Sequence, residues 1–212
     1  MTKVFLVRHG RTIWNKEQVF RGTRDVPLDG VGQQEAQLVG ERLKDEEITA
    51  VYSSPLSRAR ETAETIARFH NVAVQTLPGL NDLHFGEWEG MHHQEVKGKY
   101  PDLYQRWQKD PHKVIFPGGE GLDDVHARVM EAIEYIVSQH SQGVVVLVTH
   151  RVVLKVCICA LLGLENSHFW QIGQDTTAIN CFLYRDGMWI VSLLNDVCHL
   201  KGLKEEKDEL DF

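Results

Sequence analysis

The stretch "VFLVRHGRTIWN", residues 4–15, passes from a short apolar run to an arginine, a histidine and a glycine. Val4 to Val7 are rich in β-formers, which predicts a strand that is buried on both faces of a sheet. Arg8 can place two hydrogen bonds on a phosphate, and a neutral His9 can attack phosphorus. The stretch therefore predicts a phosphate pocket at the end of a buried strand, against the plainer alternative of a charged turn.

Two further strand patterns also end in polar side chains. "ITAVYSS" (48–54) predicts a strand, and Arg58 follows it near the start of a predicted helix. "GVVVLVTH" (143–150) predicts another strand, which ends at His150. Because ligands bind beyond the carboxyl ends of the strands in open α/β sheets, we expect His9, Arg58 and His150 to meet at one rim.

Strand and helix patterns alternate along most of the chain, which predicts a parallel or mixed sheet with helices on both faces. The other predicted elements are a helix over 29–43 with Asp29 as N-cap, a helix over 54–69 with Ser54 as N-cap and Pro55 as first helical residue, a weak strand over 72–77, helices over 122–140 and 151–164, and a hairpin over 180–195 that turns at Asp186-Gly187.

One segment breaks the alternation. Residues 84–124 hold glycines, prolines and aromatic residues around two short helical patches, so we expect an excursion from the sheet that could form a lid. Residues 1–200 are expected to form a single domain, and residues 201–212 a charged, frayed tail.

Composition excludes several classes of function. The chain has 212 residues, is 42% hydrophobic and carries a formal net charge of −7, which suits one well-packed domain and argues against a nucleic-acid or membrane partner. It shows no apolar stretch of membrane-spanning length and no signal-peptide pattern. The four cysteines match no zinc or redox motif, so we expect mostly buried, reduced thiols in a cytoplasmic protein.

Transfer of a phosphoryl group from an ester to a histidine also needs a proton for the leaving alkoxide. The segment "LNDLHFGEWEG" (80–90) offers Asp82, Glu87 and Glu89 as candidate acids. The arginines can neutralise the phosphate charge, so neither a metal nor a cofactor is predicted.

Six segments together resemble a known family. "LVRHGRTIWN", "FRGTRDVPLDGVGQQEA", "VYSSPLSRARETAE", "LNDLHFGEWEG", "PGGEGLDDVHARV" and "VVVLVTH" resemble, in the same order, the sequence blocks of the histidine phosphatase superfamily, the phosphoglycerate-mutase-like proteins. The resemblance extends to about Leu200. It implies a three-layer α/β sandwich with a mostly parallel central sheet, and a phosphohistidine mechanism. It also implies His9 as nucleophile, Asp82 as proton donor, and a phosphate site formed by Arg8, Arg58, His150, Asn15 and the backbone near Gly22 and Thr23.

The chain departs from the family pattern at three positions. Arg11 stands where glutamate is often found, which indicates a more anionic substrate unless the side chain faces solvent. Asp82 stands where the family usually has the longer glutamate. Arg151 stands where many members have glycine; with Lys155 it could meet a substrate carboxylate or second phosphate, or it could simply be an exposed residue at a helix start.

The short chain is similar to the small phosphatases of the family, which include α-ribazole phosphatases and metal-independent phosphoserine phosphatases. We therefore expect a phosphomonoesterase whose partner is a small phosphorylated metabolite. Phosphoserine enzymes resembling it carry a histidine where Phe85 stands here, one residue after His84, so the substrate stays open. Arg21 and His199 are further candidates for specificity.

Two alternative functions accompany this interpretation, together with one expectation about assembly. The chain could be a phosphoglycerate mutase or another phosphoryl transferase, or a phospho-ligand sensor without activity. The hairpin over 180–195 could pair its edge with that of a second copy in a homodimer.

Overall fold

The computed structural model describes residues 1–203; the rest of the predicted tail over 201–212 lies outside the described residues. One sheet of six strands has the order β3-β2-β4-β1-β5-β6. The first four are mutually parallel, β5 pairs antiparallel with β1, and β6 pairs antiparallel with β5. The strands are β1 (Thr2–Arg8), β2 (Ile48–Ser53), β3 (Val74–Thr76), β4 (Val144–Thr149), β5 (Ile179–Arg185) and β6 (Met188–Asp196). The predicted, mostly parallel α/β sheet is confirmed.

Helices cover both faces of this sheet. They are α1 (Ile13–Lys16), α2 (Gly30–Leu43), α3 (Ser57–Arg68), α4 (His93–Lys99), α5 (Pro101–Lys109), α6 (Leu122–Gln139) and α7 (Arg151–Leu161). Among the described residues no helix is long and apolar enough to cross a membrane.

Alternation along β1 divides the core into two clusters. Val4 and Leu6 pack into a cluster that includes side chains of α6 and α7, whereas Phe5 and Val7 pack into one that includes side chains of α2 and α3. Successive strand side chains point to opposite faces, so this division places one helical layer on each side of the sheet. The three-layer sandwich that the resemblance implied is confirmed.

The predicted N-cap Asp29 and the predicted hairpin turn at Asp186-Gly187 are both confirmed. The Asp29 carboxylate caps α2 by accepting from the N–H groups of Val31 and Gly32. Asp186 and Gly187 both have positive φ and join β5 to β6, as expected for the turn of a hairpin.

Helix α3 does not begin at Ser54 and Pro55 but at Ser57, with Leu56 as N-cap. The Ser54 hydroxyl contacts His150 instead, at 2.7 Å. The N–H of Ser57 donates to the Asp25 carboxylate at 2.8 Å, so a distant side chain supplies the cap. The Ser54 hydroxyl also accepts from the N–H of Leu56 at 3.3 Å, so it links the residue before α3 to His150 but does not cap the first turn of the helix.

Residues 84–124 contain α4, α5 and two short 3₁₀ turns. The aromatic side chains of this segment belong to the same cluster as α6 and α7, and Trp88 and Phe116 are almost fully buried there. The segment therefore packs onto one face of the sheet as part of this shared core. That it acts as a lid stays a prediction.

Candidate active site

The two predicted histidines lie side by side. The parallel pairing of β1 with β4 sets Arg8 opposite Thr149, and the N–H of His9 continues this ladder by donating to the Thr149 carbonyl at 3.0 Å. The ring centroids of His9 and His150 are 5.1 Å apart, and both residues are buried. The expected meeting of these strand ends at one rim is confirmed.

The tautomer of His9 follows from its neighbour. Its Nδ1 lies 2.7 Å from the Gly10 carbonyl oxygen. A carbonyl only accepts, so Nδ1 carries the proton and Nε2 keeps its lone pair. Burial, together with the charges of Arg58 and Arg8, holds the pKa of His9 well below its ordinary value of 6.5. His9 is therefore a neutral imidazole with a nucleophilic nitrogen.

Arg58 joins three parts of the site. Its guanidinium donates to the carbonyls of Gly22 and Arg24 at 2.8 Å each, and to Oδ2 of Asp82 at 3.1 Å. The side chain is fully buried, and its Nε has no hydrogen-bond partner among the described residues. The N-terminal turn of α3 thus delivers a fixed positive charge to the rim.

Arg8 supplies a second guanidinium. Only 2% of the residue is exposed, and Nη1 donates to the Gln174 carbonyl at 2.7 Å. Two nearly buried guanidinium groups close to a neutral histidine form an environment that favours a multiply charged anion.

Asp82 lies between Arg58 and His150. Its Oδ2 is 3.6 Å from Nδ1 of His150. Burial raises the pKa of the Asp82 carboxyl, although the charges of Arg58 and Arg21 oppose the shift. A carboxyl whose protonated form is favoured in this way can donate a proton.

The two rival acids are occupied elsewhere. Glu87 is exposed and accepts from the Tyr100 hydroxyl. The nearly buried Glu89 carboxylate accepts from the N–H and hydroxyl of Thr23 and from the N–H of Phe85. Thr23 therefore differs from expectation, because its donors hold Glu89 rather than facing a phosphate.

Asn15 has a local partner as well as its predicted role. Its Oδ1 accepts from the N–H and hydroxyl of Thr12, both at 2.9 Å, which fixes the turn after the opening strand. The contact of Asn15 with a phosphate stays a prediction.

A pocket opens beside these groups. Its walls combine His9, Gly22 and Asp82 with apolar and cationic side chains, namely Val19, Phe20, Arg21, Phe85, His93, Trp107, Arg151, Val152, Phe169 and Trp170. The Arg151 guanidinium carbon lies 5.9 Å from the ring centre of Trp170. Lys155 is buried behind this wall, with its Nζ 4.6 Å from the same ring. Of the predicted specificity residues, Arg21, Phe85 and Arg151 are at the pocket.

Three other predicted residues do not line the pocket. Arg11 forms an ion pair with Asp29 at 2.9 Å, where it stabilises the start of α2. His84 has a side chain that is 43% exposed, so it faces outward. His199 contacts the Thr177 hydroxyl at 3.1 Å. Arg11 therefore gives no support to a more anionic substrate.

Sequence reasoning missed several groups that build the site. Ser54 contacts His150, the Thr62 hydroxyl accepts from the N–H of Gly10 at 3.1 Å, and the Gln174 carbonyl anchors Arg8. Each lies far along the chain from its partner, so no local pattern could reveal it. The Ser53-Ser54 pair at the carboxyl end of β2 was the one available signal, since ligands bind at this end of the strands.

Comparison with known proteins agrees with this geometry. Residues 4–197 match the model of the histidine phosphatase superfamily, branch 1. The chain belongs to the histidine phosphatase superfamily. Together with the phosphatase relatives described next, this makes it a phosphoric monoester hydrolase.

Two curated relatives and one solved structure show the similarity over nearly full length. The chain is 36% identical to phosphoserine phosphatase 1 of Hydrogenobacter thermophilus, covering 94% of this chain and 95% of the relative. It is 33% identical to a metal-independent phosphoserine phosphatase of Arabidopsis thaliana, covering 96% and 85%. The structure of Bacillus stearothermophilus YhfR superposes with a TM-score of 0.92 at 33% identity, covering 95% of this chain and all of that one.

Proposed function

We propose that this phosphatase hydrolyses a small phosphorylated metabolite through a phosphohistidine on His9. The observation that supports this most directly is the hydrogen bond from Nδ1–H of His9 to the Gly10 carbonyl, which leaves Nε2 unprotonated beside two guanidinium groups. The Nε2 lone pair forms a bond to phosphorus as the phosphorus–oxygen ester bond breaks. Water then attacks the phosphorus and gives a proton to the Asp82 carboxylate as the phosphorus–nitrogen bond breaks, which releases inorganic phosphate and restores neutral His9.

The charge on the transferring oxygens is met by Arg8, Arg58 and His150, helped by the Asn15 amide and the Gly22 backbone. Donors that are already in place stabilise charge as it develops, without reorganisation. These guanidinium groups take the role that a metal ion plays in other phosphatases, so the reaction is proposed to need none. The relative named as a metal-independent phosphoserine phosphatase supports this.

Asp82 is the proposed proton donor. Its Oδ2 lies within reach of both Arg58 and His150, whereas Glu87 is exposed and Glu89 already accepts three donors. Asp82 gives its proton to the leaving alkoxide in the first step and takes one from water in the second.

The proposed substrate carries a second anionic group beside its phosphate. Arg21 and Arg151 line the pocket together with Phe85 and Trp170, which offers two cations around an apolar wall. Phosphoserine, whose carboxylate is a second anion, fits this proposal, and the names of the curated relatives support it. α-Ribazole phosphate carries no anion besides its phosphate and is the competing candidate. The test is hydrolysis of a panel of phosphoserine, α-ribazole phosphate, sugar phosphates and phosphoglycerates, with Arg151→Ala losing kcat/KM selectively for esters with a second anion.

A homodimer is also proposed, through the edge of β6. Met188, Ile190, Val191 and Leu194 are apolar and exposed on this strand. Light scattering of the wild type and of an Ile190→Lys variant tests it: a dimer that the charge splits supports the pairing, and a monomeric wild type overturns it.

A cytoplasmic location stays a prediction from the cysteines. The described cysteines form no disulfide, and Cys157, Cys159 and Cys181 are buried.

The decisive experiment for the mechanism compares the wild type with His9→Ala on p-nitrophenyl phosphate in the presence of EDTA. We expect full activity of the wild type and loss of turnover in the variant. Retained turnover of His9→Ala removes His9 from its role, and a strict need for an added divalent ion refutes the metal-free route.

A further inference from the structure

Arg128 on α6 reaches across to the loop that carries Asp82. Its Nη1 donates to the carbonyls of Gly79 and Asn81 at 3.0 and 2.6 Å, and Nη2 donates to the Asp82 carbonyl at 3.0 Å. The side chain is only 21% exposed. One guanidinium therefore gathers three carbonyls from four consecutive residues.

Glu120 completes this arrangement from the other side. Its Oε1 accepts from Nε of Arg128 at 3.0 Å, and its Oε2 accepts from Nη2 at 3.1 Å and from the N–H of His84 at 3.0 Å. With these bonds all five N–H groups of Arg128 are used. The Arg128–Glu120 pair thus grips the backbone on both sides of Asp82.

The loop has little freedom to move away. The Thr149 hydroxyl donates to the Leu80 carbonyl at 2.6 Å, which ties the loop to the end of β4 beside His150. A Cβ added to Gly79 would lie 2.7 Å from the Arg128 carbonyl oxygen, so the loop backbone packs directly on α6.

We propose that Arg128, paired with Glu120, is the positioning residue for the proton donor Asp82. The inference rests on the proposed role of Asp82 as general acid. An aspartate is one methylene shorter than the glutamate typical of the family, so the backbone must place its carboxyl. Within the described part of the chain, the side chains of Arg128 and Glu120 bond each other and the backbone around Asp82, so they contact neither the Asp82 carboxyl nor the two histidines.

The test uses two esters of similar size with different leaving groups. Benzyl phosphate releases an alkoxide that needs a proton, whereas p-nitrophenyl phosphate releases a stable phenolate that does not. The ratio of kcat/KM for the two esters reports proton donation, because kcat/KM covers the steps up to release of the alcohol. A general loss of fold or of phosphate binding lowers both values equally.

We expect Arg128→Met to lower kcat/KM for benzyl phosphate by about 10- to 100-fold, a part of what a general acid contributes, and to leave p-nitrophenyl phosphate within about threefold. Glu120→Gln should shift the ratio in the same direction but less. Arg128→Lys, with three donors instead of five, should fall between Arg128→Met and the wild type. Arg60→Met is the matched control, since Arg60 is 54% exposed on α3 and its one ion pair within residues 1–203 is with the neighbouring Glu64 at 3.6 Å.

An equal loss on both esters, or no loss on either, in Arg128→Met overturns the proposal. If Arg128→Met does not fold, Glu120→Gln and Arg128→Lys give the same reading. Asp82→Asn separates the proton-donor role of Asp82 from the positioning role of Arg128. A selective loss of benzyl phosphate hydrolysis in Asp82→Asn but not in Arg128→Met refutes only the positioning role. The absence of a selective loss in Asp82→Asn refutes the proton donor itself.

Discussion

The glycine after His9 gives a sharp prediction from packing. A Cβ at Gly10 would lie 2.4 Å from the Gly32 carbonyl oxygen, about 1 Å inside the 3.4 Å of an ordinary contact. The obstacle is backbone at the start of α2, which cannot swing aside. Because the Gly10 carbonyl also accepts the Nδ1–H of His9, any shift of this residue moves the imidazole.

We expect Gly10→Ala to lower the free energy of unfolding by about 1–3 kcal/mol, as other overpacked cores do. We expect kcat to fall by about 100-fold, because a displacement of about 1 Å costs that much at a catalytic group. Urea unfolding and turnover of p-nitrophenyl phosphate measure the two effects.

The matched control is Gly98→Ala in α4, where an added Cβ meets nothing within 4 Å. This variant should keep its activity and be as stable as the wild type or more so, since alanine favours a helix by up to about 1 kcal/mol. A Gly10→Ala protein with wild-type stability and turnover would refute the close-approach reasoning.

Three further predictions follow from burial and contacts. Because burial lowers the pKa of His9 and His150, their ring protons should not titrate near pH 6.5 in NMR spectra of the free enzyme, and a normal titration would contradict this. Below pH 6.5 the unfolded chain then binds more protons than the folded one, so the free energy of unfolding should fall as the pH drops. In urea unfolding, Glu89→Gln should lower the free energy of unfolding by about 1–3 kcal/mol and Glu87→Gln by less than about 0.5 kcal/mol. Neither variant should change the ratio of alkyl to aryl ester hydrolysis, and a changed ratio would identify that residue as the proton donor. Trp88→Ala should cost about 3–5 kcal/mol by the same assay, because Trp88 is fully buried with ring centroids 5.0 Å from Phe20 and 4.9 Å from Phe116; a loss under 1 kcal/mol would show that the segment is loosely packed.

The sheet and the rim could be predicted because their signals are local. Apolar runs such as 144–148 mark buried strands, and the residue after each parallel strand must lie at the same edge of the sheet. Asp29 was readable as a cap because it bonds its own helix. His9 and His150 were found for this reason, and their separation of 5.1 Å follows from the β1–β4 pairing.

What could not be predicted depends on contacts between distant residues. Ser54 is a residue type typical of N-caps, but its hydroxyl forms a hydrogen bond with His150, which lies 96 positions later in the chain. The sequence predicts Arg11 beside an anion, but in the structure its guanidinium pairs with Asp29, the N-cap of α2. No local pattern predicts a role for Arg128, because the loop carbonyls that it binds lie 46 to 49 positions earlier in the chain.

The central claim is covalent transfer of phosphate to His9, and trapping the phosphoenzyme tests it most directly. Enzyme mixed with ³²P-labelled substrate is quenched within the first turnover, and the labelled peptide is mapped by mass spectrometry. The account predicts an acid-labile, alkali-stable phosphate on Nε2 of His9, formed no more slowly than phosphate is released. Label on another residue, or turnover with no trapped phosphoenzyme and inversion at a chiral phosphorus, would contradict it.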